Sequence, residues 1–473
     1  MLRKFLRLFS SGPASLEDVL KYPEGKRIYR EFHELRREGM DQDALKVINR
    51  LNRHGYRSYL VGGCVRDMLL GRRPKDFDVV TTATPTQIRK VFSNSRSIGR
   101  RFKIVHIVFQ GGKIIEVATF RNLPEHRLEP DKKEKDYMLK RDNQYGSPRE
   151  DAARRDFSLN ALFFDPRNES LIDYVGGFDD IKKRRISVIG NPDISYKEDP
   201  VRMLRAAKFA ALLDFEIDGT TLKAIKRNKN EIQKASPARL LEEYSKIFRT
   251  GKSAAIFKAF DETGLFKAMF PEAYNASDCS RAENFLESSI GKRLVVADRT
   301  LSEREELTVN IMMALIFTDM VKEVFDEDGP HNKVMDYVKS HVLPVCRRMQ
   351  LSNADCDRLV QIFMSQGRFS STDRSRRFRP DVFRKKIFFY EAFMVYKINA
   401  LAEKNDARIQ KAMFWEIGPR ERPPEINKIV SIFPVRRNFN RGGGGDRGGN
   451  GGGRPPRRGN GNHRPRNTNN ARS

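Results

Sequence analysis

Two periods of apolar residues divide the chain. Between about Tyr29 and Phe178, short apolar runs and two-residue alternation break at glycines, the mark of mixed strand and helix. Residues 59–61 predict a strand, 65–70 a short helix stopped at Gly71, and 75–80 a second strand. Thr84 and Pro85 supply an N-cap and a first-turn proline for a helix running to about Phe92. Residues 104–109 and 114–120 alternate around Gly111-Gly112 and predict a β-hairpin. From about Asn191 the apolar steps lengthen to three and four, and 200–213, 238–248, 309–325 and 383–402 predict amphipathic helices.

The fold class that follows is an α+β head, a small mixed sheet with helices, then an all-α neck and body and a disordered basic tail. The expected boundaries are a leader at 1–28, the head at 29–178, a neck at 179–271, a body at 272–435 and the tail at 436–473. The tail is built mostly of Gly, Arg, Asn and Pro with Asp446 as its only acid, so it cannot bury apolar surface. The opening stretch 1–9 is basic, with Leu2, Phe5, Leu6, Leu8 and Phe9. It is too short for a secretory signal and reads as a docking contact or a weak membrane-surface contact.

Composition narrows the partner. The chain has 473 residues, 39% apolar and 32% charged, with a formal charge of +28. Such a surplus of Lys and Arg gains affinity by releasing counterions from phosphates, so nucleic acid is the expected partner. Cys64, Cys279, Cys346 and Cys356 lack metal-ligand spacing and do not suggest an oxidising compartment. No apolar run reaches bilayer length, and a cytoplasmic location is expected.

The chemistry concentrates in LVGGCVRDMLLGRRPKDFDVVTT, residues 60–82. Residues two apart on a strand share a face, so Asp76 and Asp78 should project together while Phe77 and Val79 turn to a core. Two adjacent carboxylates repel unless a cation lies between them, and hard oxygen ligands suit Mg²⁺. Two Mg²⁺ ions so held would activate an attacking 3′-hydroxyl and neutralise a departing pyrophosphate. Gly62-Gly63, between a strand and a helix, lets backbone N–H groups approach a phosphate. Arg66, on the first turn of that helix, can add a charge-assisted contact to a triphosphate. Asp199 before Pro200 would cap a helix, placing Arg202 and Arg205 three apart on one face. Arg202, held by Asp199 or Glu198, could then offer planar donors to a base edge.

This block resembles the head of the nucleotidyltransferase superfamily branch that contains tRNA CCA-adding enzymes and bacterial poly(A) polymerases. Arg154-Arg155-Asp156-Phe157 resembles the family motif that contacts the nucleotide ribose. DYVGGFDDI, residues 173–181, is similar to the hinge between head and neck. Glu198 to Arg202 resembles the motif that reads the incoming base, and SPARLLEE, 236–243, a helix that braces it. A third catalytic carboxylate is usual in the family, with Glu116, on the hairpin strand, and Asp156 as candidates. The resemblance covers residues 59–271 closely and the rest loosely.

Within the branch, IGRRFKIVHIVFQ, residues 98–110, looks like the poly(A) polymerase pattern, as does 139–160 apart from Lys140, where that subgroup more often has an apolar residue. The resemblance implies template-independent addition of AMP from ATP to RNA 3′ ends. Single-stranded RNA, read with little sequence preference, would be gripped by the Arg/Gly tail and by FRPDVFRKKIFFY, residues 378–390, whose aromatics interleave with basic residues. A monomer that meets RNA-decay proteins is expected. A CCA-adding enzyme and a catalytically silent RNA-binding protein are the competing readings.

Overall fold

Short β-rich runs assemble into one sheet whose order brings distant segments side by side. The computed structural model describes residues 16–99, 103–123, 144–303, 305–326, 331–370 and 379–416. All lie in one compact unit. The apolar-basic stretch 1–9, Arg100 to Phe102, Lys140, Phe378 and the tail 436–473 lie outside the described residues.

The strands are β1 (Lys26–Ile28), β2 (Ser58–Val61), β3 (Asp78–Thr81), β4 (Ser95–Ile98), β5 (Ile104–Val108), β6 (Ile114–Thr119), β7 (Phe163–Asp165) and β8 (Ser170–Asp173). They form an eight-stranded sheet in the order β1-β8-β7-β2-β3-β6-β5-β4. β3 and β6 run parallel, and every other neighbouring pair is antiparallel. The expected hairpin is β5–β6. β1 lies in the segment expected to be a leader, yet it closes one edge of the sheet, so the head starts before residue 29.

Helices α1 (Gln42–Arg53), α2 (Gly63–Leu69), α3 (Pro85–Val91) and α4 (Pro148–Ala153) surround the sheet. In α1 the Asp41 carboxylate accepts from the N–H groups of Asp43 and Ala44, and one stripe (Ala44, Leu45, Val47, Ile48 and Leu51) is buried. Thr84 and Gln87 form a reciprocal capping box at the start of α3, with Pro85 in its first turn as expected. Tyr59, Val61, Val80, Phe120, Ala152 and Phe163 form the core on the α4 side.

Two expected elements differ. The strand expected over 75–80 begins only at Asp78. Val61 opposite Asp78 is the last register pair, after which Gly62 turns the partner strand away and leaves residues 75–77 nothing to pair with on that side. The single helix expected over 383–402 is two, Pro380–Arg384 and Phe389–Ala402. Phe383 and Phe389 both pack on Phe369, at 5.3 and 5.6 Å between ring centroids. On one continuous helix these residues would point about 120° apart, so the break is what lets both enter the cluster. Phe383, Phe389 and Tyr390 are core residues, not an exposed stacking surface for RNA.

The head meets the helical part through α5 (Gly177–Lys182), α6 (Pro192–Glu198), α7 (Val201–Leu213) and α8 (Pro237–Phe248). Asp173 fixes the corner: its carboxylate accepts from the N–H groups of Val175, Gly176, Gly177 and Phe178 at 2.8–3.1 Å. The motif read as a hinge is thus tightly bonded. A Cβ on Gly177 would stand 2.1 Å from the Ser158 carbonyl oxygen, so backbone must move to admit any side chain. Gly177→Ala should therefore cost about 2–3 kcal/mol in a urea unfolding titration. Gly219→Ala, where an added Cβ meets nothing within 4 Å, should stay within about 1 kcal/mol of the parent.

Candidate active site

Three strands set an acidic centre. β3 lies between β2 and β6, in registers that put Val61 and Glu116 on either side of Asp78. Residues directly paired across strands share a face, so Asp78 and Glu116 point the same way. Asp76, in the loop before β3, is exposed and still acts on Asp78 electrostatically. Burial pushes the Asp78 carboxyl up to about 6; Glu116 and Asp76 add to the rise while Arg155 opposes it. Across the next pairing, His106 Nε2 lies 3.2 Å from Glu116 Oε1, without the geometry of a hydrogen bond.

The glycine turn meets this centre. Gly62 has φ +79° and ψ −135°, a region side chains disfavour, and Gly63 opens α2. A Cβ on Gly62 would lie 3.7 Å from Arg155 Nη1 and 3.9 Å from Asp78 Oδ2. Turn, guanidinium and carboxylate are therefore immediate neighbours. Arg66 is nearly buried, donating to Asp67 at 2.7 Å and to Asn160 at 2.8 Å, with its guanidinium over the Phe209 ring. Its Nη2 also lies 3.6 Å from where a Gly63 Cβ would be. Arg66 thus ties the turn to the 158–160 segment and to α7.

Beside the turn opens a cavity of ≈ 270 Å³, lined by Ala118, five arginines (Arg121, Arg154, Arg155, Arg202 and Arg205) and three aspartates (Asp151, Asp156 and Asp199). Most of these arginines are anchored by acids. Arg155 is held by Asp151 at 2.8 Å. Arg205 pairs with Asp156 at 2.6 Å. Burial raises the Asp156 carboxyl, but Arg205, Asn160 and Arg202 outweigh it and hold the group below the usual carboxylate range. Arg202 donates to Ser195 at 2.7 Å and to the buried Glu198 at 3.1 Å. Asp199 instead takes a bidentate pair from Arg239 of α8, both bonds 2.8 Å, while accepting from the Val201 N–H. Pro200, not Asp199, occupies the cap position of α7.

All twelve expected site residues thus fall in one region. Asp76, Asp78 and Glu116 gather beside Gly62, Gly63 and Arg155, whereas Arg66 braces the turn. Asp156, Glu198, Asp199, Arg202 and Arg205 belong to the arginine-lined wall. Sequence reasoning did not single out Arg121, Asp151, Asn160, Phe209 or Arg239. Asp151 stands four residues before Arg155, a helical ion-pair spacing that could have marked it.

Known proteins resemble this chain in sequence and fold. The family model “Poly A polymerase head domain” matches residues 58–187, and “Probable RNA and SrmB- binding site of polymerase A” matches 214–276. Poly(A) polymerase I of Salmonella typhi is 36% identical over 451 residues, covering 92% of this chain and 95% of that protein. The chain belongs to the bacterial poly(A) polymerase family. It is a nucleotidyltransferase that extends RNA with poly(A) without a template. The CCA-adding enzyme of Bacillus licheniformis is 35% identical over 227 residues, 48% of this chain and 55% of its own. A crystal structure of the Bacillus stearothermophilus CCA-adding enzyme in complex with CTP shares the fold at TM-score 0.54 and 24% identity, covering 79% of this chain and 81% of that one. The expected α+β head with a helical body is the fold of this polymerase family.

The strained acid gives a test. The Asp78 carboxyl sits at about 6 against the usual 3.8, so the folded protein holds an extra proton between those values. Its contribution to stability is full below pH 3.8 and lost as the pH rises through 6. In chelator, Asp78→Asn should raise stability at pH 8 by at most about 3 kcal/mol, with no gain near pH 4. Thermal unfolding across that range measures it, and an equal gain at both ends would contradict the assignment.

Proposed function

We propose that ATP binds in the arginine-lined cavity with its triphosphate directed at the Gly62-Gly63 turn, and that Asp76, Asp78 and Glu116 form the reacting centre. One observation carries this reading: at Gly62, whose φ of +79° favours glycine, the turn comes within contact distance of both the Arg155 guanidinium and the Asp78 carboxylate, so backbone, cation and acid meet at one place.

The donors fit Mg²⁺. They are hard oxygens, and Asp78 is raised first by burial and then by like charge that a cation would relieve. Among the described residues no three His, Cys, Asp or Glu side chains converge on a point that could hold an ion. Mg²⁺ suits such a site, since it commonly takes one or two carboxylates and fills its other positions with phosphate and water. Asp76 and Asp78 would hold two ions, which when bound polarise the attacking hydroxyl and neutralise the leaving pyrophosphate.

The chain's own residues do the rest. Arg155, anchored by Asp151, faces the phosphates, and Arg66 keeps the turn in place. Arg202, fixed by Glu198 and Ser195, lines the wall where adenine would sit, and the Asp199–Arg239 pair locks the start of α7. Asp156 and Arg205 shape the ribose end. The RNA 3′-oxygen then attacks the α-phosphorus in line, one P–O bond forms, and pyrophosphate departs. Glu116, level with Asp78 in the sheet, is the better placed third carboxylate, because Asp156 is committed to Arg205.

Unstructured RNA 3′ ends in message processing and turnover are the proposed substrates. Residues 214–276 would take RNA and the SrmB-type partner named for that region. A cytoplasmic monomer suits this role, and among the described residues no helix is long and apolar enough to cross a membrane.

Purified protein given unstructured RNA and single nucleoside triphosphates should build long tails from ATP alone. A stop after three nucleotides on tRNA, dependent on CTP, would sink the reading. Asp76→Ala and Asp78→Ala should abolish incorporation, and Glu116→Gln should lower kcat about 100-fold or more. Asp156→Asn should act mainly on KM for ATP. Arg239→Ala should reduce ATP-over-CTP preference about tenfold in kcat/KM, with folding unchanged by circular dichroism.

A further inference from the structure

A second cavity, of ≈ 450 Å³, lies in the helical body. It sits among α9 (Val309–Asp326), α10 (Asn353–Met364), α11 (Gln366–Ser370), α12 (Phe389–Ala402) and α13 (Asp406–Trp415). Its depth is unsatisfied in a particular way. Gln366 is 8% exposed, and its Nε2 donates to the carbonyls of Ile362 and Ala392 at 2.9 and 3.1 Å. Those two bonds fix the amide, so Oε1 is the free end, and it has no donor. Asn399, 3% exposed on the facing α12, likewise has an Oδ1 without a donor. A buried carbonyl left unpaired costs about 1–3 kcal/mol. Both residues line this one cavity, and each buried oxygen lacks an N–H.

The rest of the lining defines what brings it. Phe363 and Val395 are buried and supply an apolar wall. Lys322 is exposed at the edge, and Arg408 lies with its guanidinium 4.9 Å over the Tyr396 ring. Glu403 holds one end of Arg408 at 2.6 Å, while Nε has no hydrogen-bond partner. Acceptors inside, an apolar wall and two cations outside suit a flat base with an exocyclic amine and a phosphate. The volume lies in the range of small-ligand sites and holds one nucleotide. Adenine carries such an amine.

We propose that this cavity binds one adenylate, either free AMP or a residue of the growing tail, with its amino group on Gln366 Oε1 and Asn399 Oδ1 and its phosphate toward Lys322 and Arg408. The choice of adenine rests on the poly(A)-forming reaction, while the site itself does not take part in nucleotidyl transfer.

The test uses full-length protein with the head occupied by a saturating non-hydrolysable ATP analogue. Equilibrium dialysis should then find one further equivalent of AMP bound, with UMP weaker. Gln366→Leu and Asn399→Leu should each weaken AMP about tenfold while kcat for the first addition to a short primer stays unchanged. Lys322→Glu, at an exposed position that cannot upset the core, should weaken AMP and leave adenosine alike. Displacement of AMP by oligoadenylate and not by oligouridylate identifies the tail as occupant, and resistance to both identifies free AMP. No second equivalent, or one indifferent to Gln366→Leu and Lys322→Glu, overturns the proposal. ATP incorporation by the same preparation is scored separately, so its failure would sink the reading of the head instead.

Discussion

Like charges held side by side are the constraint to which the rest of the head answers. The parallel pairing of β3 with β6 sets Asp78 and Glu116 level on strands about 4.8 Å apart, and Asp76 stands close by. At such spacing two carboxylates repel by up to about 3 kcal/mol in a partly screened environment. Arg155 offsets this only in part, for the Asp78 carboxyl stays raised. The opposing force is the buried apolar sheet itself, where Val79, Val80, Val117 and Phe163 are nearly or wholly inaccessible. The sheet holds the acids together, and its stability is reduced for as long as no cation joins them.

Around this centre the positive charges are arranged in the opposite manner. The cavity holds five arginines and three aspartates, so it is cationic where a triphosphate must go. Arg155, Arg202 and Arg205 each have an acid partner from the protein, which fixes their direction. A guanidinium already oriented loses less entropy on meeting a ligand than a free one. Arg239 extends this order outward, since by gripping Asp199 it connects α8 to the start of α7. Head and neck thereby share one set of ion pairs, and the four bonds of Asp173 hold the corner from which the neck departs. The body cavity differs in kind: the Gln366 and Asn399 side-chain oxygens there have no donor, so it is unsatisfied by hydrogen bonds where the head is strained by charge.

Much of this was legible in the linear chain because it depends on neighbours in sequence. Gly62-Gly63 after an apolar run, the capping of α3, the β5–β6 hairpin and the change from two-residue to four-residue periodicity are local features, and each appears where expected. The pairing of Arg202 with Glu198 is also local, four residues apart on a helical path. Composition placed the chain with polyanionic partners, and the resemblance of its motifs to known ones pointed to its family.

The contacts between distant segments were decided only by folding. That Asp78 and Glu116 are level, that Asp199 makes its closest bonds to Arg239 with Arg202 farther off at 4.0 Å, and that Arg66 spends its donors on Asp67 and Asn160 depend on strand register and helix packing. So does the division of the 383–402 segment, where two phenylalanines seek one cluster, and the use of Lys26–Ile28 as an edge strand. A sequence states which groups can pair. Which of several acids meets which arginine is settled by where the apolar core places their backbones, and that is a property of the whole fold.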